Sequence, residues 1–309
     1  MARSSRRKWM RWAGAVAAGG AAHACACLFI AWLSLRARPA NVPDDPEAAG
    51  FLGDPVTFVS HDGTRLAGWL VGPPDRTPRG AVVLCHGADG TRLGMAPAAR
   101  VLVDAGYAAL LFDSRSRGAS GGSRMTLGVR EPHDFRAAVR FLQEHPATRG
   151  LPIGALGVSL GAATTIIGSE GTPAVRAIVA ESAFSRLDRA IDRHFGALMG
   201  PLAVIYQAPV QRIGERLIGA QAEHVSPEAA IARLGPLPVL IIHNAEDRYC
   251  DALEADRLAR AASGPVELWT VPESGHIAAV YVAPEEYRRR VVQFFDRHLT
   301  PQASPAPRP

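Results

Sequence analysis

Cysteine is scarce in this sequence. Only four occur in 309 residues, and two of these, Cys25 and Cys27, lie in an apolar stretch near the N-terminus. The other two, Cys85 and Cys250, are too few for a disulfide framework and lack the close spacing of zinc ligands. The sequence therefore excludes a disulfide-rich secreted domain, and we expect no structural metal.

Acidic residues are missing from the first 38 positions, which hold seven of the 34 basic residues: Arg3, Arg6, Arg7, Lys8, Arg11, Arg36 and Arg38. The rest of the chain has 27 basic against 29 acidic residues, so the formal charge of +5 belongs to one terminus. A nucleic-acid-binding domain instead carries a basic face across its folded part. We therefore expect no nucleic-acid partner.

Aromatic residues make up only 6% of the chain, whereas hydrophobic residues make up 48% and charged residues 20%. The 30 glycines and 24 prolines follow no triplet period. This composition excludes a collagen-like, coiled-coil or wholly disordered protein, because enough apolar side chains are present to fill a core. One large domain is the expectation for this length.

One long segment contains no charged side chain. Residues 12–35, taken as a helix, would rise about 36 Å, which exceeds the roughly 30 Å of a bilayer's hydrocarbon core. Trp9, Trp12 and Trp32 lie near its ends, where indole rings favour the headgroup region. Five basic residues precede the segment and two follow it. The positive-inside rule then predicts a cytoplasmic basic segment 1–11, a transmembrane signal-anchor helix 12–35, a linker 36–53 and an extracytoplasmic remainder.

A cleaved signal peptide is the main alternative for this segment. Ala24-Cys25-Ala26 fits a small-residue cleavage site, and its use would give a secreted protein. The apolar run resumes over residues 27–33, which a processed signal would not need. A peripheral or cytoplasmic segment is a third interpretation. We favour the uncleaved, single-pass anchor.

Beyond the linker, short apolar runs alternate with helix-like stretches. After a predicted hairpin over residues 56–71, apolar runs occur at residues 81–85, 108–112, 153–157, 177–180, 239–242 and 266–271. This alternation predicts a mostly parallel α/β sheet with helices on both faces, over a domain of residues 54–299. Residues 182–226 interrupt it with helical periodicity and predict a small helical cap. We expect the Pro-rich tail, residues 300–309, to be disordered.

A G-x-S-x-G motif follows one of the predicted strands and precedes a predicted helix. It reads Gly157-Val158-Ser159-Leu160-Gly161. A serine on such a sharp turn is presented at the sheet edge, and glycines on both sides relieve the crowding. The backbone N–H of Leu160 can then face a developing oxyanion. In the competing interpretation, Ser159 is only the N-cap of the helix.

A nucleophilic serine needs a base, and the base needs a group that orients it. His276 follows the strand of residues 266–271, and Asp247 follows the strand of residues 239–242. Because both strands are predicted to end at the same sheet edge as Ser159, these side chains are candidates for base and acid. Three other acids, Glu246, Asp251 and Glu181, remain open as the orienting carboxylate.

The chain order Ser159, Asp247, His276 is that of the α/β-hydrolase triad. On these residues, on His86-Gly87 and on the segment of residues 112–121, the region 54–299 resembles the α/β-hydrolase superfamily, particularly its small serine esterases, acyl-protein thioesterases and serine-aminopeptidase-like members. The resemblance implies that the backbone N–H groups of Ala88 and Leu160 form the oxyanion hole and that no cofactor is needed. Ser116 and Asn244 stand where that family commonly has glycine.

The resemblance implies a serine hydrolase that cleaves carboxylic esters or thioesters through an acyl-enzyme. A serine peptidase of the same fold and a non-catalytic, membrane-tethered binding protein are the alternatives. The substrate would be a small molecule or an acyl compound. Apolar residues of the cap, such as Phe195, Leu198 and Leu202, either line an acyl-chain pocket or bury the cap on the domain. No pattern in the sequence specifies an oligomeric state.

Overall fold

The computed structural model describes residues 2–299, so the predicted tail of residues 300–309 lies outside the described residues. Its strands are β1 (Arg38–Pro39), β2 (Gly53–Val59), β3 (Arg65–Val71), β4 (Ala81–Cys85), β5 (Ala108–Phe112), β6 (Arg117–Gly118), β7 (Ile153–Val158), β8 (Val175–Glu181), β9 (Val239–Asn244) and β10 (Val266–Val271). Its α-helices are α1 (Ala2–Leu35), α2 (Ala96–Asp104), α3 (Glu131–Glu144), α4 (Leu160–Ser169), α5 (Leu187–Met199), α6 (Ala203–Ile218), α7 (Pro227–Ile231), α8 (Ala252–Ala261), α9 (Ala279–Val282) and α10 (Pro284–Leu299).

Eight strands form the central sheet in the order β10-β9-β8-β7-β4-β5-β3-β2. The first six run parallel, whereas β3 is antiparallel to both β5 and β2. Side chains alternate between two cores: Val83 of β4 packs with α3 and α4, and Leu84 packs with α2 and α10. A strand that is buried on both faces has a continuous apolar sequence, and for this reason these strands could be predicted from the sequence. The predicted α/β-hydrolase architecture is confirmed.

The carboxyl ends of β4, β7, β9 and β10 meet at one edge of the sheet because these strands are parallel. The segments that follow them therefore gather there. They carry, in turn, His86 to Ala88, Ser159, Asp247 and His276.

Residues 182–226, the predicted cap, hold α5 and α6, which pack against each other. Helix α1 in turn packs on α6. Cys27 and Ala31 of α1 are buried against Val210 of α6. The residues packed around this contact are Ile30, Phe195, Tyr206 and Ile213. The anchor candidate and the cap are thus joined by an apolar helix–helix interface.

Helix α1 is also long and apolar enough to cross a membrane. Its stretch Arg6–Leu35 reaches a mean hydropathy of 1.8, and only 11% of the most apolar window is buried within the protein. A core helix of a soluble protein would be mostly buried. Length and composition thus fit a spanning helix, and its exposed apolar surface sets it apart from a core helix.

The connection from α1 to the sheet is packed on the domain rather than extended in solvent. Arg38–Pro39 pairs in parallel with Arg117–Gly118. The indole N–H of Trp69 donates to the carbonyl oxygen of Asp44 at 2.9 Å, and Phe51 is buried in a core cluster. Residues 36–53, predicted as a linker, therefore hold α1 close to the sheet.

A buried ion pair organises the loop after β5. The Asp113 carboxylate is fully buried and accepts hydrogen bonds from the Arg92 backbone and guanidinium, each at 2.7 Å. It also accepts from the Ala119 N–H at 2.9 Å. The Arg92 guanidinium lies over the Trp69 ring and donates to the carbonyl oxygen of Pro43. Asp113 thus connects the end of β5 to the segment that carries Arg92. Through Arg92 it is also connected to Trp69 of β3 and to the segment at Pro43.

We expect Asp113→Asn to lower the free energy of unfolding by about 3–5 kcal/mol, because it leaves the buried Arg92 guanidinium without its counter-charge. Asp256→Asn is the matched control, since Asp256 pairs with Arg260 on an exposed face of α8. That substitution should change the unfolding free energy by no more than about 0.5 kcal/mol. Denaturant titration of both variants measures the difference. Equal losses would contradict the role given to Asp113.

Candidate active site

Ser159 occupies a strained turn between β7 and α4. Its φ of 54° and ψ of −121° are unfavourable for a residue with a side chain. A Cβ added at Gly161 would overlap the carbonyl oxygen of Cys85, and one added at Gly157 would overlap the carbonyl of Gly161. Both flanking glycines are therefore required by close backbone approach. No N-cap hydrogen bond is made by the Ser159 side chain, which points instead to His276.

The structure brings the three predicted side chains together in one hydrogen-bonded chain. Ser159 Oγ lies 2.9 Å from His276 Nε2, and His276 Nδ1 lies 2.7 Å from Asp247 Oδ2. The Asp247 side chain is fully buried, whereas that of His276 is 21% exposed. The first distance suits proton transfer from Ser159 to His276, and the second suits a hydrogen bond that orients the imidazole. The partly open histidine leaves room for a substrate.

The three alternative acids lie elsewhere. Glu246 is exposed. Asp251 caps α8 by accepting from the Glu254 N–H, and it pairs with Arg193 of α5. Of the four acids considered from the sequence, Asp247 is the one whose carboxylate bonds to His276.

The environment of Asp247 favours its ionised form. Burial by itself would raise the pKa of this carboxyl, but the hydrogen bond and charge of His276 and two backbone N–H donors together outweigh it, so the pKa lies below its ordinary value. The backbone N–H groups of Tyr249 and Cys250 also donate to Oδ1, at 2.9 and 3.0 Å. An ionised Asp247 accepts a hydrogen bond from the Nδ1–H group of His276, so the proton stays on Nδ1. The Nε2 lone pair is then directed at the Ser159 hydroxyl.

The segment of the predicted oxyanion donor Ala88 lies directly against the serine. A Cβ built on Gly87 would be 3.3 Å from the Ser159 Cβ. Leu160 is the first residue of α4, where backbone N–H groups have no helical acceptor. The structure therefore places both predicted donors, Ala88 and Leu160, next to Ser159.

His86 and Arg117 hold this loop in position. His86 Nδ1 lies 2.7 Å from the Gly87 carbonyl oxygen, and its Nε2 accepts from the Ser114 N–H at 3.0 Å. Burial lowers the pKa of His86, which keeps the ring neutral and able to make both contacts. Arg117 Nε donates to the Ala88 carbonyl oxygen at 2.7 Å. His86 thus has a structural role.

A buried network of side-chain hydrogen bonds lies behind His276 and was not predicted from the sequence. Asn244 Nδ2 donates to Glu181 Oε1 at 3.0 Å and to Ser182 Oγ at 2.9 Å, while Ser274 Oγ donates to Asn244 Oδ1 at 2.5 Å. Asn244 therefore ties the ends of β8 and β9 to the loop that carries His276. Its departure from the common glycine was the one sequence signal for this network.

Glu181 supports the other side of the same loop. Its Oε1 also accepts from the Ala279 N–H at 3.1 Å. Burial raises the pKa of Glu181, although the Asn244 and Ala279 donors act in the opposite direction. Glu181 thus positions the segment after His276 rather than contacting the imidazole.

An apolar cluster lies beside the serine, between the oxyanion segment and the cap. Its buried members are Met125, Leu160, Ala163, Phe184, Leu187, Ala222, Val225 and Cys250. Ala88 and Ile191 of α5 pack against it. Tyr249 connects this cluster to the site, since its ring lies 5.2 Å from His276 and 4.9 Å from His194. The surface next to Ser159 is therefore apolar on the cap side.

Asp247, Cys250 and His276 also have potential metal-ligand atoms within 4.8 Å of one another. Asp247 and His276 bond to each other, however. Burial and the neighbouring Asp247 carboxylate raise the pKa of the Cys250 thiol, which disfavours the thiolate that a metal requires. The cluster is explained by the hydrogen-bonded chain.

Comparison with known proteins identifies the family of this chain. A family model described as X-Pro dipeptidyl-peptidase (S15 family) matches residues 61–234. The chain is 29% identical over 240 residues to the uncharacterized protein YqkD of Bacillus subtilis, covering 76% of each chain. It is 30% identical over 234 residues to the uncharacterized protein Rv2307c of Mycobacterium tuberculosis, covering 75% of each.

Solved structures share the fold. The esterase Pf2001 of Pyrococcus furiosus superposes with a TM-score of 0.70 at 25% identity, covering 85% of this chain and 98% of that one. The α/β hydrolase GrgF of Penicillium superposes with a TM-score of 0.64 at 19% identity, covering 80% and 98%. Because the family model spans more than half of the sequence, the chain belongs to the X-Pro dipeptidyl-peptidase (S15) family, within the α/β-hydrolase superfamily of serine hydrolases.

Proposed function

We propose that this hydrolase is a membrane-anchored carboxylesterase or thioesterase that acts through Ser159, His276 and Asp247. The observation that carries the proposal is the hydrogen-bonded chain from Ser159 Oγ through His276 to the buried Asp247 carboxylate. An activated serine needs these three groups in contact. A non-catalytic binding protein would have no use for the strain at Ser159 or for the complete chain.

In the proposed reaction, Ser159 Oγ attacks the acyl carbonyl carbon while His276 Nε2 takes the hydroxyl proton. The ionised Asp247 holds the imidazole orientation and stabilises the imidazolium that forms. The backbone N–H groups of Ala88 and Leu160 stabilise the tetrahedral oxyanion, and each contributes about 3 kcal/mol. His276 then gives the proton to the leaving alcohol or thiol, and an acyl-enzyme remains on Ser159.

Water then hydrolyses the acyl-enzyme. In this second half of the reaction, water is the nucleophile and Ser159 is the leaving group. His276 accepts a proton from the attacking water as the oxygen of that water bonds to the acyl carbon. The second tetrahedral intermediate then collapses: its bond to Ser159 Oγ breaks, His276 returns the proton to Oγ, and the acid is released. Every proton in this sequence moves through one histidine. The reaction as proposed uses only groups of the protein.

The surroundings of Ser159 favour acyl substrates over peptides. The cap side of the site is the apolar cluster around Leu160, Phe184 and Leu187, which suits an acyl chain. A peptidase that recognises a free N-terminus needs a carboxylate for the ammonium group. Asp89, next to the proposed donor Ala88, pairs with Arg38 instead. A serine peptidase is the second candidate, because the matched family model carries a peptidase name.

The proposed location is the extracytoplasmic side of a membrane, with α1 as a single-pass anchor. The basic side chains Arg6, Arg7, Lys8 and Arg11 precede the apolar stretch, which supports a cytoplasmic N-terminus. Cleavage after Ala26 would instead leave the exposed apolar residues Leu28, Phe29 and Trp32 on a soluble protein.

We expect a fluorophosphonate probe to label Ser159, because its Oγ is hydrogen-bonded to a base. Ser159→Ala should abolish labelling and reduce hydrolysis of p-nitrophenyl esters by about 10⁴-fold or more. Peptide mass spectrometry locates the adduct. A folded wild-type protein that takes up no probe would contradict the proposed nucleophile.

We expect Asp247→Asn to lower kcat by about 10⁴-fold, because the amide no longer holds the imidazole in the required tautomer. The matched control is Asp251→Asn, four residues away, where an asparagine can still cap α8. That variant should retain its activity to within a few-fold. Steady-state kinetics on a soluble ester measures both. Similar losses in the two variants would argue against a specific role for Asp247.

We expect p-nitrophenyl esters of intermediate and long chains to be better substrates than an X-Pro p-nitroanilide dipeptide, because the apolar cluster binds the acyl chain. The ratio of kcat/KM values across the ester series and the dipeptide measures this preference. A higher value for the dipeptide would favour the peptidase over the esterase.

A further inference from the structure

The tip of the cap has no charged residue. From Phe195 through Gln211 the sequence contains no Asp, Glu, Lys, Arg or His, whereas charged residues lie on both sides, including Arg193 and Arg212. The tip includes the end of α5, the turn at Gly200–Leu202 and the first half of α6. Four large apolar side chains of the tip are solvent-exposed, at 65%, 54%, 86% and 53%: Leu198, Leu202, Val204 and Ile205. Such a contiguous apolar surface is unusual on a soluble face.

The contacts of α6 fix the level of this tip along α1. The Tyr206 ring lies 5.0 Å from that of His23. At the other end of α6, the Leu217 carbonyl oxygen accepts from Arg124, which pairs through its backbone with Arg36. Helix α6 therefore runs parallel to α1. The exposed tip lies beside the middle of α1, near His23, rather than beside its C-terminal end.

The length of α1 decides where the tip lies if this helix crosses a bilayer. The apolar stretch that remains clear of the cap, residues 12–22, rises only about 16 Å at 1.5 Å per residue. The hydrocarbon core is about 30 Å thick. Roughly 14 Å of that thickness must therefore be filled by the part of α1 that is packed against the cap.

The other end of α1 cannot make up the difference. Moving the helix toward the domain side would pull Arg11, Lys8 and Arg7 into the hydrocarbon, which is costly for charged side chains. If the hydrocarbon core begins at the level of Trp12, a helix rise of about 30 Å places its other boundary near Ala31. Trp32 then lies at the outer interface, where indole rings are favoured. Ala31 packs against Val210 of the cap. The part of α1 that must lie in the hydrocarbon beyond residue 22 is therefore the part that packs against the charge-free tip.

We propose that the tip of the cap, residues 195–211, is embedded in the outer leaflet of the bilayer beside α1. The lipid acyl chains cover Leu198, Leu202, Val204 and Ile205, and Arg193 and Arg212 lie at the headgroup level. The carboxylate of Asp192, the charged group bonded to the tip, is satisfied by the side-chain amide of Gln207. The proposal rests on the proposed membrane crossing by α1. It adds a second, cap-borne contact with the lipid.

This placement gives the proposed esterase a lipid-side route to its serine. Helix α5 leads from the tip, at Leu198, to Ile191 and Leu187, which belong to the apolar cluster beside Leu160. An amphiphilic ester in the outer leaflet can follow this apolar face to Ser159 without passing through water. The substrate class that fits is an ester whose acyl chain partitions into the bilayer.

The test uses the full-length chain in vesicles, with single cysteines labelled by a bimane fluorophore. Cys25 is exposed and is replaced by alanine, while Cys27, Cys85 and Cys250 are buried. Probes are introduced by Leu198→Cys at the tip, Val16→Cys in α1 and Leu268→Cys on the edge strand β10; all three native side chains are exposed. Phospholipids brominated on their acyl chains quench a fluorophore only at hydrocarbon depth.

We expect quenching of the probes at 198 and 16 and none of the probe at 268. Quenching at 16 without quenching at 198 would overturn the embedded tip while leaving the anchor and the proposed hydrolase intact. A lack of quenching at both 16 and 198 would overturn the membrane crossing together with the embedded tip. Labelling of Ser159 by a fluorophosphonate in each variant verifies that the domain is folded.

Kinetics provides the second arm. Leu198→Asp should reduce hydrolysis of a long-chain ester embedded in vesicles by about tenfold, the result of losing roughly 1.4 kcal/mol of tip insertion, while hydrolysis of soluble p-nitrophenyl acetate stays unchanged. Leu268→Asp, the matched control, should change neither rate. An equal rate on vesicles for Leu198→Asp and the wild type would overturn the lipid-side route. Inactivity of the wild type on both esters would defeat the proposed esterase, but quenching at 198 would still support the embedded tip.

Discussion

The buried carboxylate of Asp113 is the interaction on which the rest of the site depends. It binds the backbone and guanidinium of Arg92 and the N–H of Ala119, and so closes the loop that follows β5. From that loop, Ser114 donates to His86 and Arg117 donates to the carbonyl oxygen of Ala88. The buried Asp113 carboxylate thus holds the loop after β5, and this loop in turn holds the segment of His86 to Ala88 that faces Ser159.

Much of the fold and site could be predicted because their signals are local. A strand buried on both faces is a continuous apolar run, and a serine between glycines after such a run marks the turn to α4. Parallel strands end at a common edge, so His276 and a short list of candidate acids that included Asp247 could be selected by position. These inferences need only a few neighbouring residues each.

The choice among acids and the support of His276 required the structure. Glu181 and Asp247 both follow or end strands at the same edge, and sequence position could not decide which carboxylate reaches the imidazole. Asn244 connects Glu181, Ser182 and Ser274, which are brought together only when β8, β9 and the loop after β10 are adjacent. The packing of α1 on α6 also joins residues that are far apart in the sequence. The periodicity of either helix does not identify the helix against which it packs.

The interface between Cys27, Ala31 and Val210 has a consequence for how the chain is made. Helix α1 leaves the ribosome before α6, since its partner on α6 is synthesised only after β2 to β8. During that interval the face of α1 that bears Cys27 and Ala31 can be covered by lipid or translocation machinery but not by the cap. Under the proposed membrane crossing, the two helices join only after the domain has folded around its sheet, and assembly of the protein then ends with a helix-docking step at the bilayer.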